Sequence, residues 1–281
     1  TTNATLLNTK AQLDTAKTQL VATETQLNLA SSQITKLTAD LNYTNGQLQT
    51  VTTEKNLLLS SYATIRNKIN TRFGNNPEDR RNYITPSDPS VTAIVQSVAG
   101  VLSDDVNVRW AAWDKMYDWV VKEIRYSSDS YIPILPSSLI GNFLWGSECW
   151  KTPSETLKDR TGDCEDMALL LASMIKNYNL VNYTVYLIEI GSTYPNVDGH
   201  MAVAIPIVGG RIAIIDPAGQ YYTGWIKYAS LSSDIASVAI NDWLAYLTPQ
   251  IPGAFISGIF SESEDRKFTS TAEFLTLYAQ R

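Results

Sequence analysis

The sequence predicts an α+β domain with an antiparallel sheet, preceded by a long helical stalk. Three observations lead to this division: the N-terminal part is almost free of aromatic residues, it carries a seven-residue apolar repeat, and the remainder shows a helix pattern followed by strand patterns. Tyr43 is the only aromatic residue among the first 60, although aromatic residues make up 10% of the chain. We expect a coiled-coil stalk at 1–72 and a globular domain at 77–281, with a core at about 107–219 and a helical extension at 220–281.

The stalk has an unbroken column of large apolar residues at every seventh position. The column consists of Leu6, Leu13, Leu20, Leu27, Ile34, Leu41 and Leu48. A second column three positions later is small or half-polar, so the apolar seam is narrow. A strict seven-residue repeat follows a left-handed supercoil, which predicts a coiled coil and therefore a homo-oligomer.

Two arrangements of the stalk are compatible with this repeat. A continuous helix from about residue 4 to about residue 70 would be on the order of 100 Å long. A turn at Asn45-Gly46 would instead give a helical hairpin. The phase of the repeat does not change at Gly46, and this favours the continuous helix.

After the stalk, the pattern changes to shorter elements. Phe73-Gly-Asn-Asn-Pro77 carries residues that terminate helices. Helices are predicted at 91–102, 107–124 and 164–178, and strands at 181–190, 200–208 and 211–215. Weaker helical patterns occupy 231–247 and 269–280. The segment 126–150 is long for a loop in a compact domain, so we expect it to form a wall of a binding site.

Composition and charge exclude some classes of function. The net charge is -6 and the pI is near 4.9, which argues against nucleic-acid binding because such binding depends on clustered Lys and Arg. No apolar run reaches the roughly 18 to 20 residues of a membrane span. The chain lacks an initiator Met, so we expect a processed form or a fragment, with any membrane anchor upstream of residue 1. Glycosylation motifs at Asn3, Asn42 and Asn182 favour an extracellular or periplasmic location.

Cys164 lies at the predicted start of a helix, within Arg160-Thr-Gly-Asp-Cys-Glu-Asp166. A helix N-terminus favours the thiolate and lowers the pKa of the thiol. We expect Asp163 to cap this helix and Asp166 to complete a capping box, although carboxylates beside the sulfur oppose its ionisation. A nucleophilic cysteine here therefore requires a cationic imidazole, and the chain has one histidine, His200.

His200 opens a predicted strand, and the following strand ends in Asp216. Cys164, His200 and Asp216 thus supply a nucleophile, a base and a carboxylate that orients the base. A two-residue turn at Gly209-Gly210 would place Asp216 on the face away from His200. A three-residue loop would place it opposite Ala202, on the same face as His200 and diagonal to it. We therefore predict an odd-length loop or a bulge.

Other interpretations of these residues remain open at this point. Cys164 could be structural, or could form a disulfide with Cys149 in an oxidising compartment. A single histidine such as His200 is often only a hydrogen-bonded polar residue. Zinc is poorly supported, because no paired Cys or His spacing supplies a set of ligands.

Two segments resemble the transglutaminase-like superfamily, and most closely its archaeal and bacterial cysteine proteinases. The segments are Trp150-Lys-Thr-Pro-Ser-Glu-Thr-Leu157 and Gly162-Asp-Cys-Glu-Asp-Met-Ala168. The resemblance covers about 107–219. It implies a papain-like cysteine-hydrolase fold in which Cys164, His200 and Asp216 form the catalytic triad.

The resemblance has further implications for metals. Some periplasmic members hold calcium with the carboxylates that flank the cysteine, which here are Asp163 and Glu165, although capping also accounts for carboxylates at these positions. No cofactor is expected to be required. The zinc-binding cysteine pairs of deglycosylating relatives are missing, and Met201 replaces the aromatic residue that usually follows the histidine.

The predicted function is thiol-dependent acyl transfer on an amide or peptide bond, as in a cysteine peptidase or amidase acting on a protein or peptide. The Cys164 N–H is expected to hold the oxyanion, and the Trp150 indole N–H is a candidate second donor, although packing also accounts for Trp150. Hydrolysis is favoured over crosslinking because the resemblance is to proteinases. The alternatives are a surface interaction module with an idle triad, a structural oligomer of the cell envelope, and a crosslinking transglutaminase.

Overall fold

The computed structural model describes residues 2–74, 77–103, 105–179, 183–195 and 197–278. The chain divides into two compact units, Thr1–Ile65 and Arg66–Arg281. Parts of three predicted features lie outside the described residues. These parts are Asn182 of a glycosylation motif, residues 181–182 of a predicted strand and residues 279–280 of the last predicted helix.

A single helix, α1 (Thr2–Asn70), forms the N-terminal part of the chain. It passes through Gly46 without interruption, so the continuous helix is confirmed and the hairpin alternative is wrong. None of its described residues is buried, and Leu27 of the seven-residue column is 68% exposed. Threonine hydroxyls on α1 donate to carbonyl groups four residues earlier, as Thr23 does to Gln19 at 2.9 Å. A long helix is thus shown, whereas its pairing into a coiled coil stays a prediction.

The first helix ends as its terminal residues predict. A 3₁₀ turn at Thr71–Phe73 leads to Gly74, whose φ of 58° is left-handed. The later helices are α2 (Pro77–Arg81), α3 (Pro89–Ala99), α4 (Val106–Glu123), α5 (Pro153–Asp159), α6 (Cys164–Asn179), α7 (Trp225–Tyr228), α8 (Ala236–Leu247) and α9 (Thr271–Tyr278). Thr152 and Glu155 form a capping box at the start of α5. Among the described residues, none of the helices combines the length and the apolar character that a membrane span requires.

The strands are β1 (Arg125–Tyr126), β2 (Ile132–Ile134), β3 (Leu144–Gly146), β4 (Thr161–Gly162), β5 (Tyr186–Ser192), β6 (His200–Ile207), β7 (Arg211–Asp216), β8 (Tyr221–Tyr222), β9 (Asp234–Ile235), β10 (Ala254–Phe260) and β11 (Asp265–Lys267). The main sheet is antiparallel in the order β11-β10-β5-β6-β7-β8, and β9 also pairs with β7. The expected helical extension at 220–281 contains α7, α8 and α9, but it also contains β8, β9, β10 and β11, so the expectation of a purely helical extension is wrong. This part of the chain contributes strands to the main sheet, because β10 pairs with β5 and both β8 and β9 pair with β7.

Successive strand residues alternate between two apolar clusters, one on each face of the main sheet. One face, which includes Leu187 and Val203, packs against α3, α4 and α6. The other face, which includes Ile188 and Ala202, packs against α8 and α9. This is the period of two that strands require. Because β6 begins at His200 and its antiparallel neighbour β7 ends at Asp216, these two residues lie at the same end of the sheet.

Candidate active site

The hairpin between β6 and β7 has the register that the triad requires. Ile207 pairs with Arg211, so a three-residue loop connects the strands, and the prediction of an odd-length loop is confirmed. His200 and Asp216 therefore point to the same side of the sheet. His200 Nε2 lies 2.8 Å from Asp216 Oδ2.

Asp216 is completely buried and faces three groups that can donate hydrogen bonds. Its Oδ2 accepts a hydrogen bond from Trp243 Nε1–H at 2.9 Å and also faces His200 Nε2. Its Oδ1 accepts from the Gly219 N–H at 2.7 Å. A buried carboxylate needs such partners, and this set fixes the orientation of the carboxylate and thus of the imidazole.

Sequence reasoning missed Trp243 and Gly219 as partners of Asp216. Trp243 lies on α8, and its only signal was an apolar residue in a weak helical pattern. Gly219 is required because a Cβ there would lie 2.3 Å from Asp216 Oδ2. A glycine three residues after a candidate catalytic aspartate was the available signal for that position.

Cys164 begins α6 as predicted, and it lines one cavity together with His200. Cys164 and Cys149 are both free, so the alternative disulfide is not formed. The thiol donates to Glu165 Oε2 at 3.3 Å. Burial and the charges of Glu165 and Asp163 raise the pKa of the Cys164 thiol well above its usual value. The prediction of a lowered pKa is therefore wrong for this structure, because burial beside two carboxylates outweighs the helix N-terminus.

Carboxylates from two parts of the chain converge beside Cys164. Asp129 forms one group with Asp163 and Asp166 and another with Glu148 and Glu165, with the ligand oxygens of each group within 4.8 Å of one another. Among the described residues, the buried atoms Asp163 Oδ1, Glu165 Oε1 and Asp166 Oδ2 have no hydrogen-bond partner. Burial raises the pKa of Asp129 to about 6 and that of Asp166 to about 7. Such a set of oxygen atoms fits a hard cation such as calcium.

The structure places further carboxylates beside Asp163 and Glu165, the two residues that the resemblance implies as calcium ligands. Asp129 and Glu148 come from the segment 126–150, which was expected to form a wall of the site, and both line the cavity. A carboxylate at each end of a loop that precedes the cysteine motif is the signal that sequence reasoning did not use. The cluster therefore joins a distant loop to the helix that carries the cysteine.

Asp166 has a different role from the one predicted. Its Oδ1 accepts from the Lys151 N–H at 2.7 Å, and Lys151 Nζ lies 3.6 Å from its Oδ2. It therefore ties the start of α6 to the segment before α5, in place of the expected capping-box bond to the Asp163 N–H. Lys151 also supplies a positive charge on one side of the acidic cluster.

Trp150 both packs in the core and lines the cavity. Its ring stacks on Phe260 with 5.8 Å between centroids, and it meets Tyr83 edge-on at 5.7 Å. These contacts account for Trp150 as a packing residue. Its role as an oxyanion donor stays a prediction.

The cavity that contains Cys164 and His200 has a volume of about 390 Å³ and an acidic wall. The carboxylates that line it are Asp129, Glu148, Asp163, Glu165, Glu189 and Asp198. Lys267 is the lysine in this wall, and it pairs with Glu189 at 2.5 Å. The site thus places a cysteine, an imidazole and a buried carboxylate next to a group of acidic oxygens.

Comparison with solved structures gives weak likenesses. Calcium-bound LapG of Legionella pneumophila is 13% identical over 79% of this chain and 98% of that chain, with a TM-score of 0.39. EGTA-treated LapG of the same organism is 15% identical over 70% of this chain and 97% of that chain, with a TM-score of 0.38. A candidate cysteine protease of Cytophaga hutchinsonii is 14% identical over 67% of this chain and 52% of that chain, with a TM-score of 0.31.

The family comparison is more informative. No curated protein matches the chain. A family model for a transglutaminase-like domain matches residues 93–237, which include Cys164, His200 and Asp216. Because this match covers more than half of the 281 residues, the chain belongs to the transglutaminase-like family.

Proposed function

We propose that the protein is a thiol hydrolase that cleaves amide bonds in peptides or proteins. The observation that carries the proposal is a single cavity in which Cys164 lies with His200, whose Nε2 is 2.8 Å from the buried Asp216. Acyl transfer from an amide needs a nucleophile, a base that becomes an acid, and a group that orients the base. These three residues supply those roles.

The reaction begins when His200 accepts the proton of Cys164 Sγ and the sulfur attacks the carbonyl carbon of the substrate. The C–S bond forms, and the backbone N–H of Cys164 donates to the developing oxyanion, with the Trp150 indole as candidate second donor. Protonated His200 then gives its proton to the amine nitrogen as the C–N bond breaks. Water, activated by His200, cleaves the thioester, releases the acid and restores the thiol.

We include a calcium ion in this proposal, held by the acidic cluster beside Cys164. Asp129 would supply an oxygen ligand together with Asp163 and Asp166, or together with Glu148 and Glu165. The buried atoms Asp163 Oδ1, Glu165 Oε1 and Asp166 Oδ2, which have no hydrogen-bond partner, support this use. A bound divalent cation would neutralise the carboxylates that disfavour the thiolate. Calcium at 100 times its Kd stabilises a folded protein by about 2.7 kcal/mol, so added calcium should raise the Tm. Glu165→Gln should reduce that rise in Tm. An unchanged rise would show that calcium does not bind at this cluster.

We propose that α1 pairs with the same helix of other copies and so presents the domain on a coiled coil. Exposed leucine or isoleucine side chains at every seventh position support this, since an isolated helix is only marginally stable. The exposed motifs at Asn3 and Asn42 support a location outside the cytoplasm. Mass analysis of the protein from its native source would detect glycans there.

The activity test uses a pool of internally quenched peptides in a calcium-containing buffer. Cys164→Ala should abolish hydrolysis without changing the Tm, because the thiol is the nucleophile. Cys149→Ser is the matched control and should retain hydrolysis. Unchanged hydrolysis in Cys164→Ala would end the proposal. A fluorescent primary amine added to the same reaction would detect transfer to an amine, the crosslinking alternative.

A surface module with an idle triad is the second candidate, and the hydrogen bond from Cys164 to Glu165 favours it. Iodoacetamide labelling at neutral pH with calcium, located by peptide mapping, separates the two. The hydrolase predicts fast labelling of Cys164 that is lost in His200→Ala. The module predicts slow labelling that this substitution does not change.

A further inference from the structure

A second cavity adjoins the first one at His200. It has a volume of about 640 Å³ and shares Tyr126, Asp198, Gly199 and His200 with the cavity that contains the cysteine. Cys164 lines the first cavity but not the second. The imidazole therefore lies at the boundary between two open spaces.

The proposed reaction indicates which side of the substrate each cavity would hold. His200 Nε2 is engaged by Asp216, so the other ring nitrogen, Nδ1, is the one left to exchange protons with substrate. The group that receives this proton is the leaving amine, which must lie beside the imidazole. Whatever is attached to the amine then continues past His200, away from Cys164.

The wall of the second cavity is held by hydrogen bonds that lead back to the triad. Tyr246 at the end of α8 donates through its hydroxyl to Gly219 O at 2.8 Å, and the Gly219 N–H donates to Asp216 Oδ1 at 2.7 Å. The next residue, Gln220, has a left-handed φ of 53°, which is uncommon for a residue other than glycine. This wall is therefore a fixed continuation of the catalytic site.

The two cavities differ in charge. The first is lined by six carboxylates, whereas Asp198 is the carboxylate that lines the second among the described residues. Neutral polar groups of Gln220 and Gln250 and apolar side chains of Leu247 and Ile251 make up much of the rest. Residues 246–251 lie beyond the family match, which ends at 237, so this wall is a feature of the C-terminal part of the chain.

We propose that the second cavity binds the amine-side residues of a polypeptide substrate and prefers uncharged residues there. This inference rests on the proposed function and makes it more specific. An enzyme that released only ammonia or a small amine would have no use for a cavity of this size beside the imidazole. The first cavity, which Cys164 lines, is then left for the acyl side of the substrate. Chain on both sides of the cleaved bond is the arrangement of an endopeptidase.

The test profiles cleavage of a proteome-derived peptide library by mass spectrometry, using the full chain with calcium. Gln250→Glu is nearly isosteric and exposed, so it should fold, and it places a negative charge in the second cavity. We expect preference for Lys and Arg over Asp and Glu on the amine side of the cut to rise about tenfold. Preferences on the acyl side should stay as in the wild type.

Ala245→Glu is the matched control, because residue 245 is exposed on α8 and does not line the cavity. It should leave both profiles unchanged. An unchanged amine-side profile in Gln250→Glu, or a change confined to the acyl side, would overturn the assignment while leaving the hydrolase intact. A wild-type protein that cuts no peptide would overturn the hydrolase and this assignment together.

Discussion

Replacing Asp216 with Asn tests whether the buried carboxylate orients His200. The carboxylate faces three donors, Trp243 and His200 at Oδ2 and Gly219 at Oδ1, at 2.7 to 2.9 Å. An Asn side chain has only one acceptor oxygen. If that oxygen faces His200 and Trp243, the NH₂ group of the Asn side chain faces the Gly219 N–H, so that two donors oppose each other. In the flipped orientation, the NH₂ group meets both Trp243 and His200.

The first orientation is the less costly, because it loses one hydrogen bond instead of two. A hydrogen bond to a charged group contributes about 1.5 to 3 kcal/mol, so Asp216→Asn should lower the free energy of unfolding by about that amount. It also removes the charge that stabilises protonated His200. The corresponding change in a Ser-His-Asp triad lowers kcat by about 10⁴-fold, and we expect a loss of up to about that size.

The assay measures kcat/KM on the quenched peptide pool and urea unfolding of the same samples. Asp242→Asn is the matched control, since Asp242 lies on α8 with its side chain 49% exposed. It should keep wild-type activity. A folded Asp216→Asn variant with activity within about tenfold of wild type would refute the orienting role.

Further predictions concern stability, the site and assembly. The hydrogen bond with Arg72 lowers the pKa of Glu155 to about 2 from 4.5, so this pair stabilises the fold above about pH 4.5 and is lost as the pH falls towards 2. Glu155→Gln keeps the helix cap and should remove about 0.2 to 1 kcal/mol of that acid-dependent stability; urea unfolding with an unchanged pH profile would contradict this. Gly219→Ala should displace Asp216 and reduce the rate of hydrolysis at least tenfold, with only a small loss of Tm. Unchanged hydrolysis would show that the site accommodates the added methyl group without moving Asp216. Leu27→Asp should shift the sedimentation coefficient of the full chain towards that of the monomer, and an unchanged value would exclude the α1 seam as the contact.

The sequence was sufficient wherever the signal is local. The seven-residue repeat predicted the long helix α1, and Gly74 marks its end with a left-handed φ. The side of the sheet on which Asp216 lies was predictable for a similar reason, because the period of two makes it depend only on loop length. These predictions needed only the chain's own periodicity.

The C-terminal strands show where local signals fail. β10 has the apolar composition of a strand, but no short-range pattern showed that it pairs with β5, whose residues lie more than 60 positions earlier. The role of Trp243 was equally hard to predict, because its hydrogen bond to Asp216 joins residues that are 27 positions apart. Such partners are fixed only by how the helices cover the two faces of the sheet.

The charged groups around Cys164 show most clearly the contrast between local signals and contacts between distant residues. By itself, the sequence determined that a cysteine begins a helix between Asp163 and Glu165, and that His200 and Asp216 follow on paired strands. Only the tertiary structure decided that Asp129 also reaches this cluster, and that burial there raises the pKa of the thiol. The physical reason is that helix and strand periods are properties of neighbouring residues, whereas desolvation and charge repulsion depend on groups brought together from distant parts of the chain.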